Sequence, residues 1–331
     1  MTPASESLLF KSVTYTGLDA GPRLIVTGAV HGNETCGTKA ILRVIDDIES
    51  KRLPLVAGTV TFVPVTNPLA YAKGERAGDR NLNRNLAPTG TPVDFEDRVA
   101  NWLCPLLARH EILLDLHSTR AKNPAFAMLG PRDNDGPLQP FRQSARERAL
   151  ALRLGVHRFV DGWLETYAKG VERRVRHLGI TGTRANALNT DPKYGVGATE
   201  YMRSAGGCAI TLECGQHDDP DAPEVGYRAI LNALAHLGNS RAAPPAVVQD
   251  VEYLSLCEVT DRAHEGDAFS REWSSFNRIA KGDLIGTRHD GTRVLAEEDG
   301  FILFPDAKAL PGNEWFYVAR SRPPGELASL P

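Results

Sequence analysis

The chain has 331 residues, 42% of them hydrophobic and 24% charged, and its 38 Lys and Arg nearly balance 41 Asp and Glu for a net charge of −3. That composition is one of a soluble globular protein, and the balanced charge, with no basic run, excludes an electrostatic case for nucleic acid. The length suits an α/β core carrying a smaller appendage.

No stretch reaches the length of a membrane span, and Met1–Ser7 has neither a basic start nor a long apolar run, so the expectation is a cytoplasmic protein with no secretory signal. The five cysteines, Cys36, Cys104, Cys208, Cys214 and Cys257, are scattered and show no C-x-x-C pair. They fit a reducing compartment and offer no thiolate metal site.

The first strong element is the apolar run Leu24-Ile25-Val26, which leads into His31-Gly32-Asn33-Glu34. A strand that ends there delivers His31 to its tip, and the Gly32-Asn33 turn lets Glu34 face the same point. Residues 39–48 then carry Ile41, Val44, Ile45 and Ile48 at helical spacing, with Thr38 near the start. Thr59–Val65 is β-rich and closes on Asn67-Pro68, and 95–107 repeats apolar residues on one helical face.

That helix leads into Ile112-Leu113-Leu114-Asp115-Leu116-His117, a second strand ending in a histidine. A helix is expected over 142–154 and a loop over 186–199, where Gly, Asn and Asp gather. A third apolar run, 209–213, ends in Glu213, and 223–237 reads as the helix after it. Strands alternating with helices predict a largely parallel or mixed sheet covered on both faces.

Arg241–Ala246 reads as a boundary, so the expected division is a catalytic domain over 1–243 and a C-terminal β domain over 246–331. Its Lys281-Gly282-Asp283 and Asp299-Gly300 segments resemble the half-repeats of lipoyl- and biotinyl-type barrels, a barrel-sandwich pattern. The turn that would carry a modified lysine holds Asp299-Gly300, so a packed appendage that walls the active site is expected rather than a carrier.

In an α/β sheet, groups at the carboxyl ends of strands converge on one crevice. His31, Glu34 and His117 then form a ligand set of the His/Glu/His kind used by hydrolytic zinc sites, which keep one position open for water, and Glu213 is the separate general base. Asp115, two residues before His117 on the same strand face, can reach the ligand imidazoles. His217, Asp218 and Asp219 read as a solvated loop, and His110, His157, His177, His236, His264 and His289 as structural.

Taken in order, His31-Gly32-Asn33-Glu34, Asn81-Leu82-Asn83-Arg84-Asn85, Asp115-Leu116-His117 and Glu213 resemble the succinylglutamate desuccinylase/aspartoacylase family of the zinc-carboxypeptidase superfamily. The resemblance implies a zinc-carboxypeptidase-like mixed sheet flanked by helices, and one zinc held by His31, Glu34 and His117. It implies Glu213 as the base, Arg76 polarising the scissile carbonyl, and Asn83 and Arg84 binding a substrate carboxylate. It also implies substrate contacts by Asn67 and Arg203.

The expected activity is hydrolysis of a small N-acyl amino acid that carries a carboxylate, in a protein that acts on neither nucleic acid nor membrane and is open to homo-oligomer formation. A metallocarboxypeptidase acting on short peptides, and a non-catalytic metal- or ligand-binding module, are the alternatives. Arg80 and Arg120 add cations near the same crevice.

Overall fold

A computed structural model describes residues 8–178 and 190–328 of the chain. The amino-terminal part runs β1 (Val13–Thr16), β2 (Asp19–Gly28), α1 (Cys36–Glu49), β3 (Ala57–Val63), α2 (Pro68–Lys73), α3 (Phe95–Leu107), β4 (Ile112–Thr119), β5 (Phe126–Met128) and α4 (Ser144–Ala151). It continues through β6 (Arg158–Asp161), α5 (Trp163–Leu178), a 3₁₀ turn at Pro192–Gly195, α6 (Ala198–Ser204), β7 (Cys208–Gln216) and α7 (Ala222–His236). Of the loop expected over 186–199, residues 186–189 lie outside the described residues, and the rest holds the 3₁₀ turn and the start of α6.

β2 lies between β3 and β4, parallel to both, and β4 is parallel to β7. A central parallel strand is covered on both faces, which is why Leu24, Ile25 and Val26 are all fully buried and why the run is continuous rather than alternating. The pleat sends Leu24 and Val26 to the core shared with Ile41 and Val44 of α1 and Ile230 and Leu234 of α7. Ile25 joins Val99, Leu103 and Leu107 of α3 on the opposite face.

The C-terminal segment supplies β8 (Glu252–Asp261), β9 (Ala268–Phe269), β10 (Asn277–Ile279), β11 (Leu284–Thr287), β12 (Arg293–Leu295), β13 (Gly300–Leu303), β14 (Glu314–Arg322) and α8 (Gly325–Ala328). β8 pairs in parallel with β6, so the main sheet continues without a break through 11 strands in the order β1-β3-β2-β4-β7-β5-β6-β8-β14-β13-β10. β9, β11 and β12 form a separate three-stranded sheet. The mixed α/β sheet with a smaller β region is the fold class expected. No helix among the described residues is long and apolar enough to cross a membrane.

Candidate active site

In the β4/β7 ladder His117 lies directly opposite Glu213, and Gly28 of β2 lies opposite Leu116. The three strand ends are therefore flush. Beyond Gly28 the chain turns through Ala29 in the left-handed region (φ 48°), and the loop after β3 straps that turn with Thr66 and Asn67 N–H groups donating to the Gly28 and Ala29 carbonyls. Gly32 is required for a reason other than turning. A Cβ there would lie 2.0 Å from the Ala70 carbonyl carbon, so only glycine lets α2 press against the His31–Glu34 segment.

The ligand atoms of His31, Glu34 and His117 lie within 4.8 Å of one another, and all three residues are buried. Glu34 Oε1 is 2.8 Å from His31 Nδ1 and Glu34 Oε2 is 2.9 Å from His117 Nδ1. Each imidazole is held from behind at its other nitrogen. His31 Nε2 is 3.0 Å from Asn81 Oδ1, and His117 Nε2 is 2.8 Å from Asp115 Oδ2, whose partner oxygen accepts from Thr27 at 2.6 Å. Acceptors behind both rings favour the tautomer with Nε2–H, which leaves both Nδ1 lone pairs facing the cluster centre.

The donor set fits a divalent cation. Glu34 and Asp115 are buried carboxylates with a third, Glu213, beside them, and His31 Nδ1, though 2.8 Å from Glu34 Oε1, makes no hydrogen bond. Burial pushes the His31 imidazole down to about 4, keeping it neutral, with Arg76 adding to the effect. For His117 burial acts in the same sense, but Asp115 and Glu34 outweigh it and raise its pKa well above the ordinary value. Burial alone would raise Glu34, yet the two histidines hold its carboxyl well below the usual range. The centre thus calls for positive charge between carboxylates, which is what a metal supplies.

Glu213 stands apart from this set. Its Oε2 is buried without a hydrogen-bond partner, and burial pushes its carboxyl up to about 8 against the opposing pull of His117 and Arg76. A cavity of about 530 Å³ opens over the cluster, lined by His31, Glu34, His117 and Glu213 and, further out, by Arg76, Asn83 and Arg84. Arg76 is 3.0 Å from Glu34 Oε1 with 47% of its side chain exposed. Asn83 Oδ1 accepts from the Ala198 N–H at 2.9 Å, tying the motif to α6.

Other expected contacts fare differently. Asn67 is fully buried and does not line the cavity; its Oδ1 caps α2 at the Ala70 N–H and its amide donates to Glu96. It is a scaffold residue, because Glu96 also accepts from the Gly78, Asp79 and Arg80 N–H groups and so shapes the loop that carries Arg76. Arg80 is likewise structural, committed to Asp94, Asp97 and the Arg84 carbonyl. Arg203 borders the cavity, but its guanidinium is engaged by Glu147 at 2.9 Å, the Ala209 carbonyl at 2.6 Å and Glu200 at 3.4 Å. Arg120 pairs with Asp306 at 3.0 Å, linking the end of β4 to the loop before β14.

Several cavity residues were not singled out by the sequence. His217 is not in a solvated loop but lines the wall, 2.9 Å through Nδ1 from Ser118 Oγ. Trp163 and Tyr167 from α5, and Glu314 and Tyr317 from β14, also line the cavity. The position of His217, four residues past Glu213 on the same strand end, was the one available signal.

A sequence profile for the succinylglutamate desuccinylase/aspartoacylase catalytic domain matches residues 20–156. The match covers the amino-terminal part of the chain and is a likeness to that catalytic domain. The matched part contains His31, Glu34, Asn83, Arg84 and His117, whereas Glu213 lies beyond it. Among similar proteins of known sequence, the succinylglutamate desuccinylase of Yersinia pestis (strain Pestoides F) is 22% identical over 298 residues, spanning 86% of this chain and 79% of that protein. The N-acyl-aromatic-L-amino acid amidohydrolase (carboxylate-forming) of Rattus norvegicus is 34% identical over 116 residues, 31% of this chain and 35% of that one. The crystal structure of succinylglutamate desuccinylase/aspartoacylase from Rhodobacter sphaeroides shares the fold with a TM-score of 0.70 at 17% identity, over 95% of this chain and 90% of that one.

Proposed function

We propose that the chain is a succinylglutamate desuccinylase/aspartoacylase-type enzyme, a zinc-dependent amidohydrolase that removes the acyl group from a small N-acyl amino acid carrying a carboxylate. The observation that carries the reading is the convergence of His31, Glu34 and His117 beside an unpartnered, buried Glu213 at the floor of one cavity. A zinc ion held by those three residues would act as a Lewis acid on water and on the scissile carbonyl.

Glu213 is the general base. A carboxylate raised towards neutrality by burial takes a proton from the attacking water and returns it to the leaving amine, so one group serves both halves of the reaction. Arg76, at the cavity mouth beside Glu34, supplies fixed positive charge for the oxyanion that develops on the carbonyl oxygen. Arg84 presents a planar fork for the substrate carboxylate, and Asn83 steadies that segment against α6. Asp115 and Asn81 act through the two imidazoles, fixing their tautomers and orientation.

Metal analysis and turnover on the same sample test this. Zinc near one equivalent, with hydrolysis of N-acyl amino acids in a panel that also contains dipeptides, is the expected result; cleavage of dipeptides alone would move the chain to the metallocarboxypeptidase alternative. Glu213→Gln should retain the metal while lowering kcat by about 10²–10⁴-fold, the usual contribution of a positioned base. Near-normal turnover in that variant would remove Glu213 from the mechanism.

A further inference from the structure

Around the cavity residues from α5 and β14, cations, carboxylates and rings form a closely packed group. Arg84 Cζ lies 4.8 Å from the Trp163 ring centroid and 5.3 Å from that of Tyr167, and Arg174 Cζ lies 5.4 Å from the same Tyr167 centroid, so cations and rings alternate. Glu314 sits between the two arginines, 3.6 Å from Arg174 and 4.0 Å from Arg84. Arg174 is otherwise held by both oxygens of Asp261 at 2.7 Å. Two guanidiniums thus face two carboxylates, and the loosest tie in the group is the one on Arg84.

Tyr317 completes this group. Its ring lies 5.3 Å from that of Trp163, it is only 2% exposed, and its hydroxyl is buried without a hydrogen-bond partner. Such a donor is costly to leave unmade, so it marks a place where a ligand acceptor belongs.

Resting on the deacylase reading above, we infer that Glu314 is a specificity-determining residue that makes this subsite accept one carboxylate and reject a second. The chain therefore selects N-acyl derivatives of neutral, above all aromatic, amino acids over those of aspartate or glutamate. Arg84 can turn from Glu314 to the α-carboxylate that every N-acyl amino acid carries. A side-chain carboxylate entering beside it would meet Glu314, and Arg203, which also lines the cavity, is fully engaged by Glu147, Glu200 and the Ala209 carbonyl. Like charges held together in a low-dielectric pocket repel strongly. A flat side chain, by contrast, meets the Trp163, Tyr167 and Tyr317 rings at the spacing that aromatic pairs favour.

The test measures kcat/KM of the zinc-loaded chain on the N-acetyl derivatives of Phe, Tyr, Leu, Lys, Asp and Glu, and on N-succinylglutamate. Phe and Tyr derivatives should exceed the Asp and Glu derivatives by at least about tenfold, and Glu314→Gln should narrow that ratio by about tenfold or more. A preference for acidic or basic side chains, or a ratio unmoved in Glu314→Gln, overturns the inference. If no compound is hydrolysed, the deacylase reading fails instead, and calorimetric binding decides the selectivity separately. In the Glu213→Gln background, N-acetylphenylalanine should bind at least about tenfold tighter than N-acetylaspartate, and equal or reversed affinities overturn the assignment of Glu314. That measurement needs no turnover and leaves Glu314 intact.

Discussion

Asp115 shows how much of the proposed metal centre can rest on a residue outside the His31, Glu34 and His117 set. It is fully buried, receives the Thr27 hydroxyl, and holds His117 Nε2 at 2.8 Å. Asp115→Asn keeps the shape but removes the charge that fixes the imidazole, and should weaken zinc binding by about 10–100-fold. Competition against a chelator with a graded metal buffer measures this, and unchanged affinity would mean that the strand alone orients His117. The four central residues were legible in the sequence because each follows an apolar run, so position along the strand stood in for position in space. Trp163, Glu314 and Tyr317 were not, because they reach the cavity from elements whose docking is decided by long-range sheet pairing. Asn67 misled for a related reason: an asparagine before a proline is as good a helix cap as a substrate contact, and here it caps.

At the scale of elements, periodicity located the helices closely. α3 spans Phe95–Leu107 as read, and α7 spans Ala222–His236 against an expected 223–237. The start of α1 at Cys36 came earlier than expected because Thr35 is its N-cap residue and Thr38 lies within the first turn, donating to the Pro64 carbonyl. In the C-terminal region the short strands were visible, but what organises their turns was not. Asp267 accepts from Arg288 at 2.7 Å and from the N–H groups of Ala263, His264 and His289, tying the turn after β8 to the turn after β11. These contacts outweigh burial and hold its carboxyl well below the usual range. A carboxyl depressed by folding contributes stability that is present above the unfolded value of about 3.9 and is lost as pH falls through the folded one. Asp267→Asn should therefore cost about 1–3 kcal/mol at pH 7 and flatten the acid limb of the Tm profile below about pH 4. Thermal melts across that range check both effects, and an acid limb as steep as in the parent chain would assign acid lability to other carboxylates.

For the whole molecule, the sequence marked a boundary near residue 245, and the strand pairing joins what that boundary divides. β8 adds to β6 over four residue pairs, Arg158 to Asp161 against Glu252 to Ser255. Across that junction Phe126 and Val160 share one core with Leu254, Leu256 and Tyr317. The same continuity brings Glu314 and Tyr317 to the cavity wall and lets Asp306 meet Arg120, so the β region supplies part of the pocket as well as covering it. An interface of this kind is a core cut in two rather than a contact between independent domains. A chain ending at residue 245 should expose the β6 edge and an apolar patch around Phe126, and so associate or precipitate rather than remain a soluble monomer. Size-exclusion chromatography with limited proteolysis measures this. A monomeric fragment that unfolds cooperatively near the Tm of the full chain would show instead that the amino-terminal part folds alone, with the β region added to shape the pocket.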